Sequence, residues 1–70
     1  MKRFLRYAVE HDRKIRAVFL LDGSMVQKTV AVVSYTDESA ILRIGARKTA
    51  EIPLADLFSC DYARGDHGED

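Results

Sequence analysis

Between residues 14–21 and 25–35 the chain is interrupted only by Asp22, Gly23 and Ser24. Both flanks are dense in β-branched and aromatic side chains. An Asp-Gly pair between two such runs predicts a tight β-hairpin, because the turn requires positive φ and glycine adopts it without a Cβ clash. A chain built around that hairpin is committed to a sheet. The other elements are read as what extends or covers it.

The first run alternates Ile15, Ala17, Phe19 and Leu21 against Arg16, Val18 and Leu20, so one face is wholly apolar and the other half so. The second places Val26, Val30 and Val32 on one face and Ala31, Val33 and Tyr35 on the other, with Gln27, Lys28 and Thr29 near the turn. Its centre is apolar on both sides, which predicts a strand covered twice. Thr36-Asp37-Glu38-Ser39 is a cluster of turn residues before a third strand at 40–44, and Gly45-Ala46-Arg47-Lys48 a second turn with two cations at its tip. A fourth strand at 49–52 ends at Pro53, which has no N–H to donate. Residues 54–58 read as a single helical turn and 59–63 as a fifth strand. From Arg64 onward no apolar residue anchors the chain, so 64–70 is expected to be a disordered acidic tail behind one domain at 1–63.

Ahead of the hairpin, Phe4, Leu5, Ala8 and Val9 gather onto one stripe of a 3.6-residue helix, leaving Arg3, Arg6 and Glu10 largely outside it. A helix of about ten residues is marginal alone in water, so its stripe must dock on the sheet. The predicted fold is mainly β: an N-terminal α-helix packed on a five-stranded, strongly bent antiparallel sheet or small barrel.

Seventy residues with one cysteine cannot staple themselves with an internal disulfide, and Cys60 fits a reducing cytoplasm. Met1-Lys2-Arg3 is basic, but the apolar stretch after it is short and broken by Arg6, so neither a signal peptide nor a membrane partner is expected. No catalytic, metal-ligating or cofactor-binding pattern is present. Cys60 has only Asp61 beside it and His67 in the expected tail, and reads as a buried structural thiol. His11, Cys60 and His67 lack metal-ligand spacing, and the four glycines stand singly. The expectation is therefore no enzyme, no metal and no cofactor.

A helix, five short strands and a one-turn helix before the last form a succession that resembles the small Sm-like and SH3-like barrels, including the YolD-like and WYL-type bacterial barrels. The likeness spans 14–60: an apolar strand, an Asp-Gly turn, a long second strand, Ser34-Tyr35-Thr36-Asp37 leading into Ala40-Ile41-Leu42-Arg43, and Ile52-Pro53-Leu54-Ala55-Asp56-Leu57 at the close. The resemblance implies a barrel. It departs from the Sm pattern where Asp37-Glu38-Ser39 replaces the Asp-then-Asn pair that holds a base, and where Arg43-Ile44-Gly45 only loosely matches the second Sm motif.

The net charge is zero but unevenly spread. Residues 1–16 carry six cations against two carboxylates, a balance of +4, and residues 55–70 carry five carboxylates against one cation, a balance of −4. Arg43, Arg47 and Lys48 surround one turn, while Arg13, Lys14 and Arg16 sit where helix meets strand; in a small barrel these can share one rim. Tyr7 and Tyr35 are candidate platforms for bases. The expected role is a non-enzymatic binding or regulatory module taking single-stranded RNA or DNA through Arg43, Arg47, Lys48, Tyr35 and Arg16. The alternative is a self-associating protein-interaction module that binds no nucleic acid, with Arg47 and Lys48 merely keeping a hairpin tip solvated. One helix has difficulty hiding all of Phe4, Leu5, Phe19, Leu20, Val33, Leu42, Leu57 and Phe58, so a homo-oligomer is expected.

Overall fold

A computed structural model describes residues 2–66. Helix α1 (Lys2–His11) leads into β1 (Ile15–Leu21), β2 (Ser24–Tyr35), β3 (Ser39–Gly45) and β4 (Lys48–Pro53); a 3-10 turn, Leu54–Asp56, precedes β5 (Leu57–Tyr62). All neighbouring strands are antiparallel, in the order β4-β3-β2-β1-β5. The fold is thus the expected helix on a five-stranded antiparallel sheet, and the sheet is open: β4 and β5 are its two edges rather than partners.

The hairpin forms where the Asp-Gly pair predicts it. Asp22 and Gly23 both have positive φ, 51° and 81°, and Leu21 pairs with Ser24 across a two-residue loop. Helix α1 ends by a similar device. Asp12 takes φ 52°, and the Arg13 N–H donates to the Ala8 carbonyl at 3.0 Å, a Schellman closure with aspartate in the position glycine usually holds. The third reversal is side-chain built: the Thr36 hydroxyl accepts the N–H groups of Glu38 and Ser39, each at 3.1 Å.

One face of the sheet makes the core. Ile15, Ala17 and Phe19 of β1, Val30 and Val32 of β2, Ala40, Leu42 and Ile44 of β3, Ile52 of β4 and Leu57 of β5 are buried, and Leu5, Tyr7 and Ala8 of α1 close over them. Directly paired residues share a face, and the pairs Ile15↔Val30, Val32↔Leu42, Ala40↔Ile52 and Phe19↔Leu57 carry the core across the sheet. Leu57 is therefore the first residue of β5, not part of the helical turn that the sequence assigned to 54–58.

The expectation that the centre of β2 is covered on both faces does not hold within the chain. Val33 alternates outward from Val32 and is 46% exposed, while the bulge between Val32 and Ser34 returns Tyr35, paired with buried Ala40, to the core side. The single helix packs on the other face, and among the described residues no element covers this one. The same outer side leaves Phe58 and Met25 exposed.

The last described residue is part of the packed structure. Both carboxylate oxygens of Asp66 accept from the Tyr7 hydroxyl at 2.8 Å, and Arg13 Nε donates to it at 3.3 Å. The Asp66 side chain is only 8% exposed. The expected tail at 64–70 thus includes a docked residue, while His67 and the residues after it lie outside the described chain.

Candidate nucleic-acid interface

Strand β2 changes partner halfway along. Its first half pairs with β1 through Ile15↔Val30, and its ladder with β3 begins only at Ala31↔Arg43. Beside Lys28 and Thr29 the β3–β4 turn therefore diverges from β2. The divergence leaves a cleft of about 430 Å³ lined by Lys14, Lys28, Thr29, Ala31 and the segment Arg43, Ile44, Gly45 and Ala46.

Three cations from three strand regions converge there. Lys14 stands just ahead of β1, Lys28 on β2 and Arg43 on β3, all exposed at the side chain. No carboxylate is in the wall, and none of the three forms an ion pair among the described residues. Arg47 lies in the turn between Gly45 and Lys48, the pair that closes the β3–β4 hairpin next to the cleft. Unpaired cations in a concave wall concentrate positive potential, since the protein side excludes water and counter-ions from part of the surroundings.

The sequence-predicted residues divide. Arg43 lines the cleft, with Arg47 and Lys48 on the adjoining turn. Arg16 is on the outer face of β1, opposite Asp61 of β5; its guanidinium lies 4.0 Å from the Asp61 carboxylate and donates to the Tyr62 carbonyl at 3.4 Å. Arg13 is held by Asp66, which raises the guanidinium pKa through a hydrogen bond and ion pairing. Of the cations expected where helix meets strand, Lys14 alone reaches the cleft.

Tyr35 is separated from these cations. It pairs with buried Ala40 and so faces the helix-covered side, at the far end of the β2–β3 ladder from Ala31↔Arg43. Tyr7 is closed off as a platform for a base. It is 6% exposed, its ring centroid is 5.2 Å from that of Tyr62, and burial together with the Asp66 carboxylate raises its pKa.

Lys28 is the cleft-lining cation that the sequence reading took only as a polar residue near a turn. Its signal is positional: in Val26, Lys28, Val30 and Val32 it is the one cation on the core-facing parity of β2. A charge at such a position must escape to solvent, and the gap between β2 and the β3–β4 turn is where it does so.

Cys60 is half-buried, and desolvation pushes its thiol pKa up to about 11, so it is protonated at neutral pH. Among the described residues no three of His, Cys, Asp and Glu are grouped closely enough to hold a metal ion, and no helix is long and apolar enough to cross a membrane. In comparisons with known proteins, no family model matches the chain, and neither a curated protein nor a solved structure matches it.

Proposed function

We propose that the chain is a non-enzymatic, cytoplasmic binding module whose basic cleft takes the phosphate backbone of single-stranded RNA or DNA. The observation that carries this reading is the convergence of Lys14, Lys28 and Arg43 on one cleft with no carboxylate in its wall, extended by Arg47 and Lys48 on the next turn. Phosphates are the ligand groups that such a cluster suits, because each contact releases a condensed counter-ion. The helix, the five-strand order and the short turn before β5 are compatible with the small Sm-like or SH3-like barrels as a source of the scaffold. The half-buried Cys60 thiol, whose pKa desolvation raises, fits a role without nucleophilic chemistry.

The test is a titration of a labelled single-stranded oligonucleotide at low and moderate salt. Binding is expected to weaken as salt rises and to fall on Lys28→Ala with Arg43→Ala, and further with Arg47→Ala and Lys48→Ala. A wild-type protein that does not bind at low salt refutes the reading.

A second reading, self-association, draws on different residues. Val33, Met25 and Phe58 leave apolar surface on the outer face, and β4 and β5 present unpaired edges. Light scattering at micromolar concentration decides it: a homo-oligomer is expected on this reading, and a monomer at every concentration removes it.

A further inference from the structure

The cleft can grip phosphates, but its wall holds no aromatic ring, so it offers nothing on which a base could stack. A second groove supplies that element. It measures about 230 Å³ and is lined by Lys2, Arg3 and Arg6 of α1 and by Tyr35 at the end of β2. The three cations sit at positions i, i+1 and i+4 of one helix, a spacing that gathers Lys2 and Arg6 on one side with Arg3 beside them.

We infer that this groove is a nucleobase-stacking subsite, in which Tyr35 takes the base and Arg6 the adjoining phosphate. The inference rests on the nucleic-acid reading of the cleft and names a second contact for the same ligand. Two observations favour it. The first concerns the tyrosines. Tyr7 and Tyr62 face one another edge-on, and Tyr62 also meets Phe4 at 4.9 Å, so both rings are engaged inside the protein. Tyr35 has no ring partner among the described residues; it packs partly against the core and lines the groove.

The second concerns the cations. Lys2 is paired with Asp37, and the Arg3 guanidinium lies 4.9 Å from the Phe4 ring centroid. Arg6 is exposed and makes no ion pair among the described residues. A groove that joins an unstacked ring to an unpaired guanidinium matches the two halves of a nucleotide, π-face and phosphate. Stacking of this kind tolerates any base, which gives single-strand preference without sequence selection.

The experiment titrates oligothymidylate, followed by anisotropy of a labelled strand and by intrinsic tyrosine fluorescence, in a chain that contains no tryptophan. Tyr35→Ala is expected to weaken binding about tenfold while leaving the salt dependence unchanged, since it removes a stack and not a charge. Tyr35→Phe keeps the ring, so affinity is retained while the ligand-induced quenching disappears. Arg6→Ala is expected to weaken binding and reduce the salt dependence; as an exposed helix residue it also decides the matter if Tyr35→Ala does not fold. If Tyr35→Ala and Arg6→Ala bind as wild type while the double variant Lys28→Ala, Arg43→Ala is weakened, the subsite is overturned and the cleft stands. If the wild type binds no strand at low salt, both fall together.

Discussion

The two halves of the sheet treat their cations differently. In the half formed by β1, β5 and the start of β2, Arg13 is bound to Asp66 and Arg16 lies against Asp61 and the Tyr62 carbonyl. In the half formed by the rest of β2 with β3 and β4, Arg43, Arg47 and Lys48 have no carboxylate partner among the described residues, and Lys14 and Lys28 join them across the divergence. A net charge of zero therefore hides two unlike surfaces, one neutralised internally and one open to an external anion. Availability of a cation is decided by what the fold places beside it, more than by its count in the chain.

The comparison can be broken most severely through the core that both halves share. Phe19 is fully buried and pairs with Leu57 on one side and Val26 on the other. Phe19→Ala is expected to cost about 3–5 kcal/mol, from lost burial plus the cavity left behind. Denaturant unfolding checks it, and a loss below 1 kcal/mol would mean that the halves do not depend on a common core.

A smaller effect should separate the halves. Asp66→Ala leaves the buried Tyr7 hydroxyl without its acceptor and is expected to cost about 1–3 kcal/mol. Oligonucleotide affinity should not fall, because Asp66 contributes no cation to the cleft and its loss only releases Arg13 beside Lys14. A parallel fall in affinity would show that the two surfaces are coupled.

The converse variant joins Lys28→Ala to Arg43→Ala. Both residues are exposed, so thermal stability should change little, while the slope of log affinity against log salt should shrink by about 1.4 for two lost phosphate contacts on a single strand. Arg16→Ala should leave that slope unaltered. A reduced slope in Arg16→Ala would bring the outer face of β1 back into the interface.

The last expectation is for alkaline pH. Tyr7 has its pKa raised in the folded state, by desolvation first and by the Asp66 carboxylate second. The folded protein thus favours the protonated phenol: the stabilisation is fully present below the unfolded tyrosine value near 10 and is lost as pH rises through the higher folded value. Tyr7→Phe should flatten this alkaline limb of the stability curve, measured by unfolding between neutral and strongly alkaline pH. An unchanged limb would assign the loss to another group.

Much of the fold was legible because its determinants are local. The stripe of Phe4, Leu5, Ala8 and Val9 predicted the short helix that spans Lys2–His11, and the Asp22-Gly23 pair located its hairpin to the residue. Alternation in β1 identified Ile15, Ala17 and Phe19 as core. The reading faltered where a bulge or a change of strand partner intervenes. Tyr35 leaves the face of Ala31 and Val33 because β2 is bulged after Val32, and the expected shared rim divides because Arg16 meets Asp61 only once β5 lies beside β1.

What the sequence determined by itself was the helix, the strands and the core-facing parity, since each follows from side-chain periodicity and turn chemistry over a few residues. Tertiary structure alone decided which charges meet. Asp66 reaches Tyr7 and Arg13 across more than fifty residues of chain, and Lys14, Lys28 and Arg43 come together because β2 leaves β3 at Ala31. Electrostatic interaction depends on distance in space and on the solvent between the groups, and neither is written in the spacing of residues along the chain.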